Sequence, residues 1–262
     1  MGKENMEKEN EVKFKVHGKY ALFTDPLTKI GGEKCSYHIP TYEALKGILS
    51  SVYWKPTIVW IIDKMRVMKR IRTQSRSAKP LNYGGVYPSL RDMGKKEEPF
   101  NTLSIYTYLA DVEYQVQAHF EWNENRKDMA KDRNENKHYY VAKRMIERGG
   151  RRDIFLGARE CQGYVEPCRF GEGKSDYDDY GEIAFDLMFH GFDYPDELGK
   201  DELHARFWRP KMVDGKVDFI RPAECLPELR KVVRTMKANP PDTVGLEEDS
   251  LEVILAEGGF IK

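Results

Sequence analysis

Residues 112–122 read VEYQVQAHFEW, and this run decides the fold. Val112, Tyr114, Val116, Ala118, Phe120 and Trp122 occupy every second position, with Glu113, Gln115, Gln117, His119 and Glu121 between them. Side chains of an extended strand point alternately to opposite faces, so the run predicts a long strand with one apolar and one polar side. Downstream, Val141, Ala142, Met145 and Ile146 fall three and four apart, the stripe of a short helix over about 139–148. Gly149 and Gly150 stop it, because glycine takes the left-handed conformation without steric cost. A short strand is expected near 163–165.

Upstream, Val12, Phe14 and Val16 alternate with Lys13, Lys15 and His17, another strand with one buried face. Thr41 is placed to cap a helix whose buried stripe is Leu45, Ile48, Leu49 and Val52. Pro56 biases the residue before it away from helical backbone, so this helix ends near Tyr53 and Lys55. Residues 57–62 are β-branched and aromatic enough for a central strand, with a bend at Asp63 and Lys64 before 65–71. The resulting order, β-α-β-β-α-β, predicts an α+β chain with an N-terminal ferredoxin-like (RRM-like) unit. Both helices would cover one sheet face and leave the other open to RNA or to a second domain. Residues 171–181 are rich in Gly, Asp and Tyr, which sets an expected boundary between residues 1–170 and 171–262. Strands at 183–190, 204–208 and 216–220, with turns at 196–199 and at Asp214-Gly215, predict a small, mostly antiparallel β domain with an acidic tail. Residues 75–100 read as a long loop or insertion, and 87–100 as mobile without RNA.

The formal charge is zero, yet the charges are not spread evenly. Residues 126–152 hold ten Lys/Arg against four Asp/Glu, and residues 55–79 hold eight against one. Solvated surface explains many such runs; two of them in one chain point to a polyanion such as RNA. The candidate RNA contacts are Lys64, Arg66, Lys69, Arg70, Arg72 and Arg76 in one run. Arg144, Arg148, Arg151 and Arg152 belong to the other, with Arg159 just beyond it. No stretch of 18 apolar residues and no leader-like N-terminus is present, so a cytoplasmic protein without membrane contact is expected. Cys35, Cys161, Cys168 and Cys225 are scattered, which predicts reduced thiols. No metal-ligand constellation and no cofactor loop stands out.

RNA carries its own nucleophile, the 2′-hydroxyl beside the scissile phosphate. Cutting it needs a base, a cation for the phosphate charge and an acid for the leaving oxygen. His138 and Lys137, adjacent at the entry to the second helix, supply the proton-transfer group and the cation. Tyr53, at the end of the first helix, can position the hydroxyl or pass a proton. Each of these residues alone is commonly plain surface or packing, and His119 on the polar side of the long strand is a rival base.

Several stretches extend this reading. ALFTDPLTKIGGEK at 21–34, PTYEALKGI at 40–48, VYWKPT at 52–57, RNENKHYY at 133–140, RRDIFLGARECQGYVEPC at 151–168 and FHGFDYPDE from Phe189 together resemble the Cas5d family of type I-C CRISPR systems. The resemblance implies a metal-independent endoribonuclease that cuts CRISPR repeat RNA at the 3′ base of its stem-loop. Such a protein then stays with the crRNA and the other surveillance-complex subunits. It also implies that Tyr53, before Trp54-Lys55-Pro56, and the pair Lys137 and His138, before Tyr139, are catalytic, and that no cofactor is needed. Other Cas5 proteins bind the 5′ handle without cutting, so a binding-only subunit is the competing expectation, and free protein is expected to be a monomer.

Overall fold

A computed structural model describes residues 10–26, 28, 33–79 and 103–238. The expectations for 87–100 and for the acidic tail lie outside them. In chain order the elements are β1 (Val12–Ala21), α1 (Tyr42–Val52), β2 (Ile58–Val67), β3 (Thr73–Ala78), β4 (Ser104–Trp122), α2 (Glu135–Glu147), β5 (Ile154–Phe155) and β6 (Gln162–Pro167). After these come β7 (Glu182–Ala184), β8 (Met188–Asp193), the single turn α3 (Pro195–Leu198), β9 (Glu202–Trp208), β10 (Lys211–Val213), β11 (Lys216–Asp218) and β12 (Arg230–Thr235).

The architecture is mixed α+β with two sheets. In the larger one, β6, β1, β4 and β2 lie side by side, with every pairing antiparallel. Taken with α1 and α2 this reproduces the β-α-β-β-α-β order expected from the sequence. β4 is the long strand read from residues 112–122, and it also reaches back to residue 104, where β3 pairs with it. Part of the stretch expected to be loop is therefore strand. The bend at Asp63 is a register shift inside an unbroken β2.

Both helices sit on the apolar side of this sheet. Phe14, Val16, Val116, Ala118 and Phe120 form one buried cluster with Leu45, Leu49 and Val52 of α1 and Ala142 and Ile146 of α2. Thr41 caps α1, its side chain accepting from Ala44 N–H. α2 begins at Glu135, earlier than the apolar stripe suggests, because Asn134 caps it by accepting from Lys137 N–H. It ends as expected. Gly149 and Gly150 have φ of 82° and 112°. Their N–H groups donate to Ile146 O and Met145 O, closing the last turn.

The opposite side of the sheet is less open than the alternation suggests. Gln115 and His119 are buried. Gln115 donates to Glu172 O and accepts from Gly171 N–H, and Arg66 donates to Gly173 O and Asp178, so residues 171–178 lie across β2 and β4. The chain past residue 170 then does two things. β11, β10 and β7 extend the first sheet from the free edge of β2, with Asp214 and Gly215 in left-handed conformation at the β10–β11 turn. β12, β9 and β8 form a separate antiparallel sheet against α1, where Tyr42 stacks on His190 at 4.4 Å. The expected turn at 196–199 is α3 with Gly199 as its left-handed cap. All four cysteines are free thiols.

Candidate active site

The last residue of α1 is followed by Tyr53, whose backbone is already extended (φ −157°, ψ 128°). Its N–H donates to Leu49 O, and its carbonyl accepts from the Trp60 indole at 2.7 Å, which fixes the ring's point of departure. Arg151 N–H and Arg152 N–H donate to Val52 O and Ser51 O. The turn after Gly149-Gly150 thus closes the C-terminal end of α1 with two cations, where the helix dipole favours them.

Because α1 and α2 run antiparallel on one face, the end of the first meets the start of the second. The Tyr53 hydroxyl lies 2.8 Å from His138 Nδ1, although 85 positions separate the two. His138 Nε2 faces the Asp132 carbonyl at 2.8 Å. A carbonyl only accepts, so Nε2 carries the hydrogen, and Nδ1 is left to accept from the tyrosine hydroxyl. His138 is fully buried, packed edge-on against Phe120 and Trp122, and Tyr53 is only 3% exposed. Burial, and after it the Asp132 carboxylate, pushes the Tyr53 hydroxyl up to about 12, while Arg151 pulls the other way. Tyr53 is therefore a protonated phenol at neutral pH.

Lys137 points outward, about half exposed, and its ammonium is held by Asp132 Oδ1. Asp132 ends a short 3-10 turn, Lys127–Asp132, and its Oδ2 accepts from the buried Thr57 hydroxyl at 2.7 Å. Burial alone would raise this carboxyl; hydrogen bonds from Lys137 and Thr57 outweigh that and hold it below the ordinary carboxylate value. Asp132 opens onto a groove of about 950 Å³ that is also lined by Trp54, Lys55, Met129, Arg151 and Arg152. Trp54 is half exposed and lines the same groove as Arg151 and Arg152.

The three expected catalytic side chains are thus in one place. The expected RNA contacts divide. Arg151 and Arg152 line the groove, and Arg144, Arg148 and Arg159 are exposed on α2 and the chain after it. β2 starts beside Tyr53 and runs away from it for roughly 30 Å, so Lys69, Arg70 and Arg72 lie at its far end. There Lys69 and Arg72 share Asp111 at 2.7 and 3.5 Å. Lys64 faces Asp218 at 3.5 Å, and Arg76 lies over the Tyr20 ring. Arg66 corrects the charge reading: it is 4% exposed and clamps residues 172–178, a structural cation with no outward face. The rival base His119 is 1% exposed on the opposite side of the sheet, with Nδ1 2.7 Å from Asp63. Sequence reading missed Asp132, Thr57 and Trp54. Only a carboxylate five residues before Lys137 hinted at the first. Among the described residues no group of three or more His, Cys, Asp or Glu side chains is placed to hold a metal ion, and no helix is long and apolar enough to cross a membrane.

Comparison with known proteins identifies the frame in which this site sits. Residues 11–220 match the Cas5d family model, described as a CRISPR-associated protein. A CRISPR pre-crRNA endoribonuclease Cas5d of Mannheimia succiniciproducens is 33% identical over 149 residues, covering 53% of this chain and 64% of the relative. The protein of the same name from Thermus thermophilus is 36% identical over 58 residues, 22% of this chain and 24% of that one. The aligned stretches thus span less than two thirds of either relative. Among solved structures, a CRISPR-associated protein superposes with a TM-score of 0.64 at 33% identity, covering 82% of this chain and 94% of its own. A functionally uncharacterized protein from Streptococcus mutans does so with a TM-score of 0.65 at 35% identity, covering 84% and 96%. With the family model spanning the sheet, both long helices and the Tyr53–His138 contact, the chain belongs to the Cas5d family of CRISPR-associated proteins.

Proposed function

We propose that this protein is a metal-independent endoribonuclease that cuts CRISPR repeat RNA at the 3′ base of its stem-loop. It then stays bound to the crRNA within a type I-C surveillance complex. The observation that carries the reading is the 2.8 Å contact between the Tyr53 hydroxyl and His138 Nδ1, with Lys137 on the adjacent surface. In this mechanism the scissile 2′-hydroxyl gives its proton to the Tyr53 oxygen as Tyr53 passes its own to His138 Nδ1. The 2′-oxygen bonds to phosphorus, the bond from phosphorus to the 5′-oxygen breaks, and the leaving 5′-oxygen takes a proton from water, while the proton gained by His138 returns to solvent through Tyr53. The products are a 2′,3′-cyclic phosphate and a 5′-hydroxyl. Lys137 leaves Asp132 to meet the charge gathering on the phosphate oxygens. The curated relatives named as pre-crRNA endoribonucleases support the substrate class. The free protein is a cytoplasmic monomer in this reading, with residues 1–170 as the RNA-binding and catalytic unit.

A binding-only role, capping the 5′ handle of the crRNA, is favoured by one observation: His138 is fully buried and Lys137 is paired, so the site as it stands is closed. Incubating the protein with its repeat hairpin separates the two. Cutting that survives a chelator and stops with a 2′-deoxy nucleotide at the cleavage position supports the nuclease. Tight binding without cutting supports the cap. Cleavage of the deoxy substrate, or loss of cutting with chelator, rules the mechanism out.

A further inference from the structure

The Tyr53–His138 pair has a third partner that the sequence did not single out. When Tyr53 passes a proton to Nδ1, the ring becomes an imidazolium in a site walled by Phe120 and Trp122, where water cannot stabilise the new charge. The groups facing it are few. Tyr53 lies at Nδ1, and Asp132 lies at Nε2 through both its carbonyl at 2.8 Å and its carboxylate Oδ2 at 3.4 Å. Lys137 on the same helix turns away to Asp132 Oδ1, and Arg151 acts on the Tyr53 hydroxyl. β4 brings only aromatic rings to this wall.

We infer that Asp132 is a positioning residue, the third member of a Tyr53–His138–Asp132 relay, whose carboxylate stabilises the imidazolium formed as the 2′-hydroxyl is deprotonated. The inference rests on the nuclease reading above. The logic is that of a buried carboxylate behind a histidine base. It orients the ring, fixes which nitrogen carries hydrogen and balances the charge without taking the proton itself. Thr57 makes the arrangement specific. It is fully buried, it pins Oδ2 on the histidine side, and this leaves Oδ1 for Lys137. One carboxylate thereby holds both His138 and Lys137 in register, and it keeps Lys137 parked until a phosphate competes for it.

Single-turnover cleavage of the repeat hairpin across mildly acid to mildly alkaline pH, with RNA affinity and melting measured on the same samples, tests this. Asp132→Asn should slow cutting by about 10-fold or more, move the acid limb of the profile to lower pH, and leave affinity unchanged or tighter because Lys137 is released. A role confined to holding the fold would lower the melting temperature without moving the limb. Cutting at the wild-type rate with the wild-type limb overturns the relay, as does a loss of affinity that accounts for the whole rate loss. If the Asn variant does not fold, Thr57→Val serves, since it unpins the carboxylate while keeping every charge: slower cutting at equal affinity is expected, and an unchanged rate overturns the relay. If wild-type protein cuts and needs Tyr53 and His138 while Asp132→Asn changes nothing, only the relay fails. If wild-type protein does not cut, the nuclease reading fails with it.

Discussion

His138 and His190 are both fully buried, and both donate from Nε2 to a main-chain carbonyl, Asp132 O in one case and Ile220 O in the other. Their second nitrogens differ. Nδ1 of His138 faces a phenol that can give up a proton, beside a groove open to solvent. Nδ1 of His190 accepts a hydrogen bond from the Arg206 guanidinium, a donor that does not release its proton, in a shell closed by Tyr42 and Trp208. Burial, and then Arg206, push His190 down to about 3. One histidine is set where a proton can move along a line of groups; the other is a neutral packing piece between two sheets. Burial alone does not tell the two apart. The partner on the second nitrogen does.

The largest expected effect cuts this comparison in two. His138→Ala should slow repeat cleavage by about 10²–10⁴-fold, or about 3–5 kcal/mol, in the molecules that remain folded, with RNA affinity little changed. His190→Ala should lower stability while the molecules that remain folded cut at the wild-type rate, and a His190 variant that folds normally but cannot cut would erase the distinction. Next in size is Asp193→Ala. Asp193 is 3% exposed and is shared by Arg206 and by Arg230 at 2.7 Å, so its loss leaves a buried guanidinium without its anion. Stability should fall by about 3–5 kcal/mol in urea unfolding, while the molecules that remain folded should cut at the wild-type rate.

A smaller effect follows from the His190 titration. The unfolded histidine takes up a proton below its ordinary 6.5, whereas the folded one holds off to about 3. The folded state therefore loses stability as pH falls through that window and keeps its full share above it. Between roughly pH 7 and pH 5 the loss attributable to this residue should be about 2 kcal/mol, read as the difference in urea midpoints between wild type and His190→Asn. An equal acid response in both proteins would mean that His190 is not the sensor. The smallest effect concerns the groove. Charge reversal at Arg151 and Arg152 should weaken RNA binding roughly ten-fold at moderate salt, with a shallower salt dependence and an unchanged cut position. A shifted product at full affinity would assign these arginines to register instead.

What the sequence disclosed were the local periods and stops. The alternation of residues 112–122, the Thr41 cap, Pro56 and the Gly149-Gly150 stop each specify geometry within a few positions of themselves, and each appears where expected. The nearness of Tyr53 to His138 was also legible, because two helices on one sheet face bring those ends together. The start of α2 was misjudged because its first turn is polar and exposed, so only the Asn134 cap marks it. Long-range closures were illegible. Arg66 reads as part of a basic run until Glu172 and Asp178 come back to it, and Gln115 and His119 read as a wet face until residues 171–178 and Asp63 cover them. Asp132 is close in sequence to Lys137. Its link to Thr57, however, depends on β2 passing beside the 3-10 turn, and no local pattern encodes that.

The antiparallel pairing of β11 with β2, Lys216 opposite Arg66 and Asp218 opposite Lys64, has a consequence for the protein's birth. On the ribosome β2 emerges long before residue 218, and at roughly 5–20 residues per second its outer edge waits on the order of ten seconds for a partner. An uncovered strand edge, here Lys64, Met65 and Arg66 until β11 pairs with them, invites pairing with a neighbouring nascent chain. Lys64 and Arg66, set in the half of that strand which β11 will cover, put like charges on any two copies that approach edge to edge. Two residues of the run that looks like a nucleic-acid footprint thus sit on the strand edge that stays open longest, where like charges oppose edge-to-edge pairing.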